Sequence, residues 1–290
     1  MIIVITGPTA LGKTKSAIKI AKAIDAEIIN GDAFQSYKEL NIGTAKPTEK
    51  ELASVPHHLY SIIEPTHNYS IVEYQSNLRA KIQELLVKSK NIVIVGGSGL
   101  YIRSALYDYE FLPNKEVDMS RYEKMDNKAL HNYLKEIDPE QAEIIHENNR
   151  KRVLRAIEIY ESTGESKSSL IDKQEHKLLY DAKFFVRDLD REELYERINK
   201  RVDEMFKEGL VDEVKRLISK YDSNLNCFQA IGYKEIIDCL RCNGNLEDAK
   251  ELVKQHTRNY AKRQMTYIRH QFDVCFYKND EELLKEIQNV

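Results

Sequence analysis

The sequence predicts an α/β fold in which a parallel sheet carries helices on both faces and an all-helical lobe is inserted. Three observations predict it. Short β-branched apolar runs recur, and each runs into a glycine-bearing loop. Helical stretches of amphipathic spacing follow those loops. Between about 108 and 180 the strand-like runs stop, while short polar helical stretches continue.

The elements follow in chain order. Ile2–Thr6 is apolar and β-branched, and ends at Gly7. Ala17, Ile20, Ala21 and Ile24 repeat at helical spacing, which predicts a helix from about Gly12 to Ile24. Glu27–Asn30 reads as a second strand. Ile71–Ser89 reads as a helix with Ile82, Leu85 and Leu86 on one side. Asn91–Val95 has four consecutive apolar residues, as a strand buried on both faces should, and Gly96-Gly97-Ser98-Gly99 then opens another helix. Ala182–Val186 looks like a return strand. Helices are predicted at 190–207, 210–220, 232–242 and 246–272, with a last strand near Val274–Tyr277 and a terminal helix. The expected division is a core of 1–108 and 182–290 and an inserted lobe of 109–181. In an open parallel sheet, ligands bind beyond the carboxyl ends of the strands. The loops at 7–12, 31–36 and 96–99 all lie there, so they should converge on one site.

Composition limits the function. The 290 residues are 42% hydrophobic, enough to bury a full core, and the net charge of −3 excludes a globally basic polyanion binder. Any nucleic-acid surface must be local. The cysteines Cys227, Cys239, Cys242 and Cys275 are too few for a disulfide scaffold. Cys239 and Cys242 have the CxxC spacing of a zinc site, but no second ligand pair follows, so they read as helical thiols. No apolar stretch suits a membrane span, and the first residues read as a strand, not a signal peptide.

The chemistry starts at Gly7-Pro8-Thr9-Ala10-Leu11-Gly12-Lys13-Thr14, a P-loop between a strand and a helix. Small residues let backbone N–H groups approach phosphate oxygens, and the helix N-terminus adds partial positive charge. Lys13 would reach the phosphates and the Thr14 hydroxyl would take Mg²⁺. The expected fold is therefore of the P-loop nucleoside-triphosphate-hydrolase-like kind. A hydrolysing member carries an acid at the end of a second apolar strand. Here Asn91–Val95 runs into Gly96-Gly97, and no Asn-Lys-x-Asp guanine signature occurs. That favours a transferase. Asp32, just after the second strand, could take a proton, hold Mg²⁺ or cap a turn. Ser98 could hydrogen-bond a reacting group.

From Leu252 to Gln271 there are five basic residues and no acid. At about 100° per residue, Lys254, Arg258, Lys262 and Arg269 share a face about 80° wide, which suits a nucleic-acid backbone. Arg150-Lys151-Arg152 with Arg155 forms a second basic knot.

Taken together, the motifs resemble the tRNA dimethylallyltransferases, the isopentenyl-diphosphate:tRNA transferases, over essentially the whole chain. The matching segments are 7–14, Asp32-x-x-Gln35-x-Tyr37, Ile42-Gly43-Thr44-Ala45-Lys46-Pro47 and Pro56-His57-His58-Leu59. Gly96-Gly97-Ser98-Gly99-Leu100-Tyr101, Ile231-Gly232-Tyr233 and Lys262-Arg263-Gln264-x-Thr266 complete them. The resemblance implies transfer of a dimethylallyl group from dimethylallyl diphosphate to an adenine amine beside the anticodon of tRNA. It implies a P-loop that holds the prenyl diphosphate with Mg²⁺ on Thr14, Asp32 as general base, and Lys13, Thr14 and Ser98 as catalytic partners. Ser98 stands where the family usually has Thr. It further implies that tRNA, through its anticodon stem-loop, touches Asp32, Ala33, Phe34, Gln35, Ser98, Lys151, Arg152, Arg155, Gln229, Gly232, Tyr233, Lys262, Arg263, Gln264 and Arg269. Arg121 is the candidate for an arginine of the lobe. A monomer in the cytoplasm is expected. Three rivals share parts of this pattern: a small-molecule P-loop kinase using ATP, a prenyltransferase acting on free adenine nucleotide, and a non-catalytic nucleotide-dependent RNA binder.

Overall fold

A computed structural model describes residues 1–111 and 117–289. The chain forms two compact units, Met1–Leu106 with Tyr180–Val290, and Tyr107–Leu179. In chain order the first unit begins with β1 (Ile2–Thr6), α1 (Lys13–Ala23), β2 (Ala26–Asn30), α2 (Glu49–Leu52), β3 (His57–His58), α3 (Ile71–Val87), β4 (Asn91–Gly96) and α4 (Gly99–Leu106). The second unit holds α5 (Ser120–Glu123), α6 (Asn127–Ile137), α7 (Pro139–Ile144), α8 (Arg150–Thr163) and α9 (Lys167–Asp172). The first unit then resumes with β5 (Ala182–Arg187), α10 (Arg191–Lys207), α11 (Leu210–Lys220), α12 (Tyr233–Arg241), α13 (Leu246–Gln271), β6 (Val274–Tyr277) and α14 (Asp280–Gln288).

The strands make one six-stranded sheet in the order β3-β2-β4-β1-β5-β6, and every pair is parallel. The α/β expectation is met, down to the apolar strands: all of β1, and β4 beyond Asn91, are buried. The strand β3 has no counterpart among the elements expected from sequence. It is only two residues long, and His57 and His58 carry no apolar signal. It pairs with Ile28 and Ile29 at the sheet edge, and His58 Nε2 lies 2.6 Å from Glu27 Oε2.

Local chemistry sets the helix starts. Ser70 and Glu73 form a reciprocal cap on α3, Asp190 accepts the Glu192 and Glu193 amides ahead of α10, and Asn279 accepts those of Glu281 and Glu282 ahead of α14. One face of the sheet packs on α1 and α14 through Ile3, Ile5, Ile28, Val93, Phe185, Leu283 and Ile287. The lobe has its own core of Tyr122, Leu130, Leu134, Val153 and Ile157. No described helix is long and apolar enough to cross a membrane.

Two glycines let strand ends meet. A Cβ on Gly96 would stand 2.0 Å from the Gly31 carbonyl carbon, and one on Gly31 would stand 3.1 Å from the Gly96 nitrogen. The Gly31 amide donates to the Val95 carbonyl at 2.7 Å, and the Ser98 amide donates to the Gly31 carbonyl at 3.1 Å. The loops after β2 and β4 are thereby zipped together beside the loop after β1.

Candidate active site

β1 and β4 are neighbours, but the chain leaves β1 for β2 on one side and leaves β4 for β5 on the other, so a crevice opens between their carboxyl ends. There a cavity of about 1530 Å³ is lined by Thr9, Ala10, Gly12, Lys13, Thr14, Asp32, Phe34, Gln35, Gly96 and Gly97, among others. The three loops do converge. Ala33 donates its amide to the Ser98 hydroxyl at 3.2 Å, and Gln264 of α13 bridges the 7–12 and 96–99 loops through Thr9 and Gly97.

Lys13 and Asp32 line the same cavity, each within the other's field. Each keeps some exposed surface, yet protein atoms surround both charged ends deep in the cleft. Burial, with help from the Arg201 guanidinium and against the pull of Asp32, lowers the Lys13 amine to about 7. Its Nζ donates to the Pro8 carbonyl at 2.6 Å. Burial raises Asp32 above the usual carboxylate range, opposed by the Phe34 amide, Lys13, the Gln35 amide and Arg201. Asp32 Oδ1 accepts the Phe34 amide at 3.1 Å, and the Asp32 amide donates to Asn30 Oδ1 at 2.8 Å, so a tight turn aims the carboxylate. Such a site can hold an anion on amides, lysine and arginine, and can take a proton on a carboxylate beside it.

Other polar groups at the cleft were not among the expected site residues. Arg201 NH1 lies 3.4 Å from Thr9 Oγ1, and burial lowers its pKa. Helix α10 read only as amphipathic, and nothing in its spacing showed that Arg201 turns toward a loop 192 residues earlier. Tyr60 and Tyr260 also line the cavity, and burial and the Asp32 charge raise both hydroxyls. Lys46 donates to Tyr37 O, Asn41 Oδ1 and Ser61 Oγ, and burial lowers its amine to about 8.

The remaining candidates divide by exposure. Gln35 lines the cavity and donates its side-chain amide to Thr44 O at 2.9 Å; Gln229 and Arg263 line it too. Lys262, Arg263 and Arg269 are exposed on α13. Gly232, at φ 98°, caps α12. Tyr233 has no exposed surface; its hydroxyl donates to Glu213 Oε1 at 2.6 Å, and its ring presses on Gly43. Its side chain is therefore structural, not part of a nucleic-acid surface. In the lobe, Lys151, Arg152 and Arg155 are exposed on α8, with Arg155 2.7 Å from Glu158. Arg121 lies over the Tyr122 ring at 4.3 Å and 3.5 Å from Glu161.

The four-residue basic stripe on α13 does not survive as predicted. Lys254 Nζ lies 2.8 Å from Asp203 of α10 and from Glu251, and Arg258 donates to Asn199 of α10 at 2.5 Å. Helical spacing placed them on one face with Lys262 and Arg269, but could not show that α10 covers the first half of it.

The model of the family described as IPP transferase matches residues 35–271. This chain belongs to the IPP transferase family. Among the family's members, a tRNA dimethylallyltransferase of Bacillus licheniformis is 46% identical over 282 residues, covering 95% of this chain and 90% of its own. The crystal structure of a tRNA delta(2)-isopentenylpyrophosphate transferase from Staphylococcus epidermidis superposes with a TM-score of 0.74 at 40% identity, covering 99% of this chain and 97% of the other. A eukaryotic dimethylallyltransferase acting on tRNA superposes with a TM-score of 0.83 at 28% identity, over 99% of this chain and 76% of its own. A P-loop nucleoside-triphosphate-hydrolase-like core is the fold this family shares.

Proposed function

We propose that this enzyme transfers the dimethylallyl group of dimethylallyl diphosphate to the exocyclic amine of the adenine immediately 3′ of the anticodon in tRNA, releasing diphosphate. The observation that carries the reading is that Asp32 and the P-loop lysine Lys13 line one cavity, next to a β4 that ends in Gly96 and not in an acid. A loop equipped to hold phosphates beside a proton acceptor, and lacking a hydrolase's acid, suits transfer of the organic end.

In this reading backbone amides of the 7–14 loop other than Pro8 and Thr9, with Lys13 and Arg201, hold the diphosphate. The adenine amine attacks the first carbon of the prenyl group. A C–N bond forms, the C–O bond breaks, and its electron pair leaves on diphosphate. Asp32 takes the amine proton. In this reading the Ser98 hydroxyl, which accepts the Ala33 amide, helps orient the incoming nucleotide. An adenine must leave its stack to enter such a cleft. Lys262, Arg263 and Arg269 on α13, and Arg121, Lys151, Arg152 and Arg155 on the lobe, supply phosphate contacts for the anticodon stem-loop; Phe34, Gln35 and Gln229 lie in the cavity itself.

Among the described residues no three His, Cys, Asp or Glu side chains group as a metal site. Mg²⁺ commonly uses one or two protein oxygens and completes its shell with phosphates and water. The Thr14 hydroxyl lines the cavity and fits this. Bound there, Mg²⁺ supplies charge neutralisation for the leaving diphosphate. The enzyme works as a cytoplasmic monomer in this reading, and its thiols are free.

The test is one incubation of protein, Mg²⁺, prenyl-labelled dimethylallyl diphosphate and bulk tRNA. Label is expected in the RNA, at one adenine. Label in free nucleotide alone, or no transfer, would overturn the proposal.

A further inference from the structure

We propose that Arg187, at the end of β5, is a further binding residue for the diphosphate of the prenyl donor, clamping it from the side of the loop opposite Arg201. The inference rests on the proposed function.

Register fixes where Arg187 stands. Val186 pairs with Thr6, so Arg187 lies level with the start of the phosphate-binding loop. Alternate strand residues share a face. Phe185 packs with α1 and α14, so Arg187 also points to the α1 side. Its NH1 is 3.6 Å from where a Cβ on Gly12 would stand, which puts the guanidinium against the turn into α1. Arg187 and Arg201 both line the cavity. Arg201 stands at Thr9, and Arg187 at Gly12, near the other end of the same loop.

One nitrogen of the guanidinium is also unsatisfied. Its Nε is buried with no hydrogen-bond partner, and it makes no ion pair among the described residues. The acid whose field it feels is Asp280. That carboxylate is bound on the α1 side, Oδ1 by the Ser16 hydroxyl at 2.6 Å and Oδ2 by Lys19 at 2.7 Å. A buried N–H left without an acceptor is costly, and the planar fork of a guanidinium matches two phosphate oxygens. The acceptor that the proposed function brings to the Gly12 turn is the donor's diphosphate. Asp280, tied to α1 through Ser16 and Lys19, leaves the arginine free to take it.

The test uses inorganic diphosphate with Mg²⁺, titrated calorimetrically into the full-length protein and its variants. Arg187→Met should weaken binding about ten- to a hundredfold, the range for loss of charge-assisted hydrogen bonds. Arg187→Lys keeps the charge without the fork and should fall between. Melting of the ligand-free Arg187→Met protein should stay near wild type, since no ion pair is removed. Wild-type affinity in Arg187→Met would overturn this role and leave the proposed function standing. Should that variant not fold, wild-type affinity in Arg187→Lys is the overturning result. No diphosphate binding by the wild type would overturn both.

Discussion

The side-chain amide of Gln264 donates to the Gly97 carbonyl at 2.8 Å, while its oxygen accepts the Thr9 amide at 3.2 Å. One buried side chain thus holds the phosphate-binding loop and the Gly-rich loop after β4 at a set separation. Sequence resemblance placed Gln264 on tRNA; the geometry gives it a clamp to hold. Gln264→Glu sets a second acceptor against the Gly97 carbonyl and should destabilise the fold by about 1–3 kcal/mol. Thermal melting reads the loss, and turnover should fall further than tRNA affinity.

Asp32→Asn keeps the shape of the turn and removes the proton acceptor. Turnover should drop by roughly 10²–10⁴, with tRNA affinity nearly unchanged. In the wild type, burial lifts the carboxylate, so kcat/KM should rise with pH through a value above the usual range for an aspartate. The check is single-turnover prenyl transfer across pH, beside filter binding of tRNA.

Lys13 titrates in the opposite sense for binding. In the free protein its amine is lowered to about 7, so above neutrality it is largely uncharged. A bound diphosphate favours the charged form and raises that value. Diphosphate binding near pH 8 should therefore take up protons, and affinity should fall as pH rises through about 7. Calorimetry in buffers of different ionisation enthalpy measures the uptake. Lys13→Met should abolish it.

The two halves of the α13 stripe should behave differently. Removing Lys262 or Arg269 should weaken tRNA binding and reduce the magnitude of the salt slope by about 0.9 for each phosphate no longer neutralised. Lys254→Ala and Arg258→Ala should leave that slope unchanged, because both side chains are engaged with α10. Binding curves between low and moderate salt decide it.

The elements most legible in the sequence were those set by local chemistry. β1, β4 and the loop between β1 and α1 declare themselves by unbroken apolar runs and by glycines. Asp32 was legible because it follows a strand end. The parts that escaped depend on approaches between residues distant along the chain. β3 exists because Ile28 and Ile29 offer it an edge, not because His57 and His58 favour strands. Arg201 and Arg187 matter through their positions beside Thr9 and Gly12, far upstream. Tyr233 carries a family motif, yet its hydroxyl goes to Glu213, which gathers the amides of 41–43. A motif shows that a position is constrained. Only the fold separates constraint by packing from constraint by ligand.

The Gly31–Gly96 contact has a consequence for how this protein can vary. With 2.0 Å between the site of a new Cβ and a carbonyl carbon, no side-chain rotamer relieves a substitution at Gly96. The clash is backbone against backbone, and a second mutation at Gly31 cannot open room, since glycine is already the smallest residue. Single-step drift at Gly96 is therefore closed, with no compensating route through Gly31. A library meant to change what the cleft accepts gains by leaving Gly31 and Gly96 fixed and spending its diversity on side chains such as Tyr60 and Tyr260.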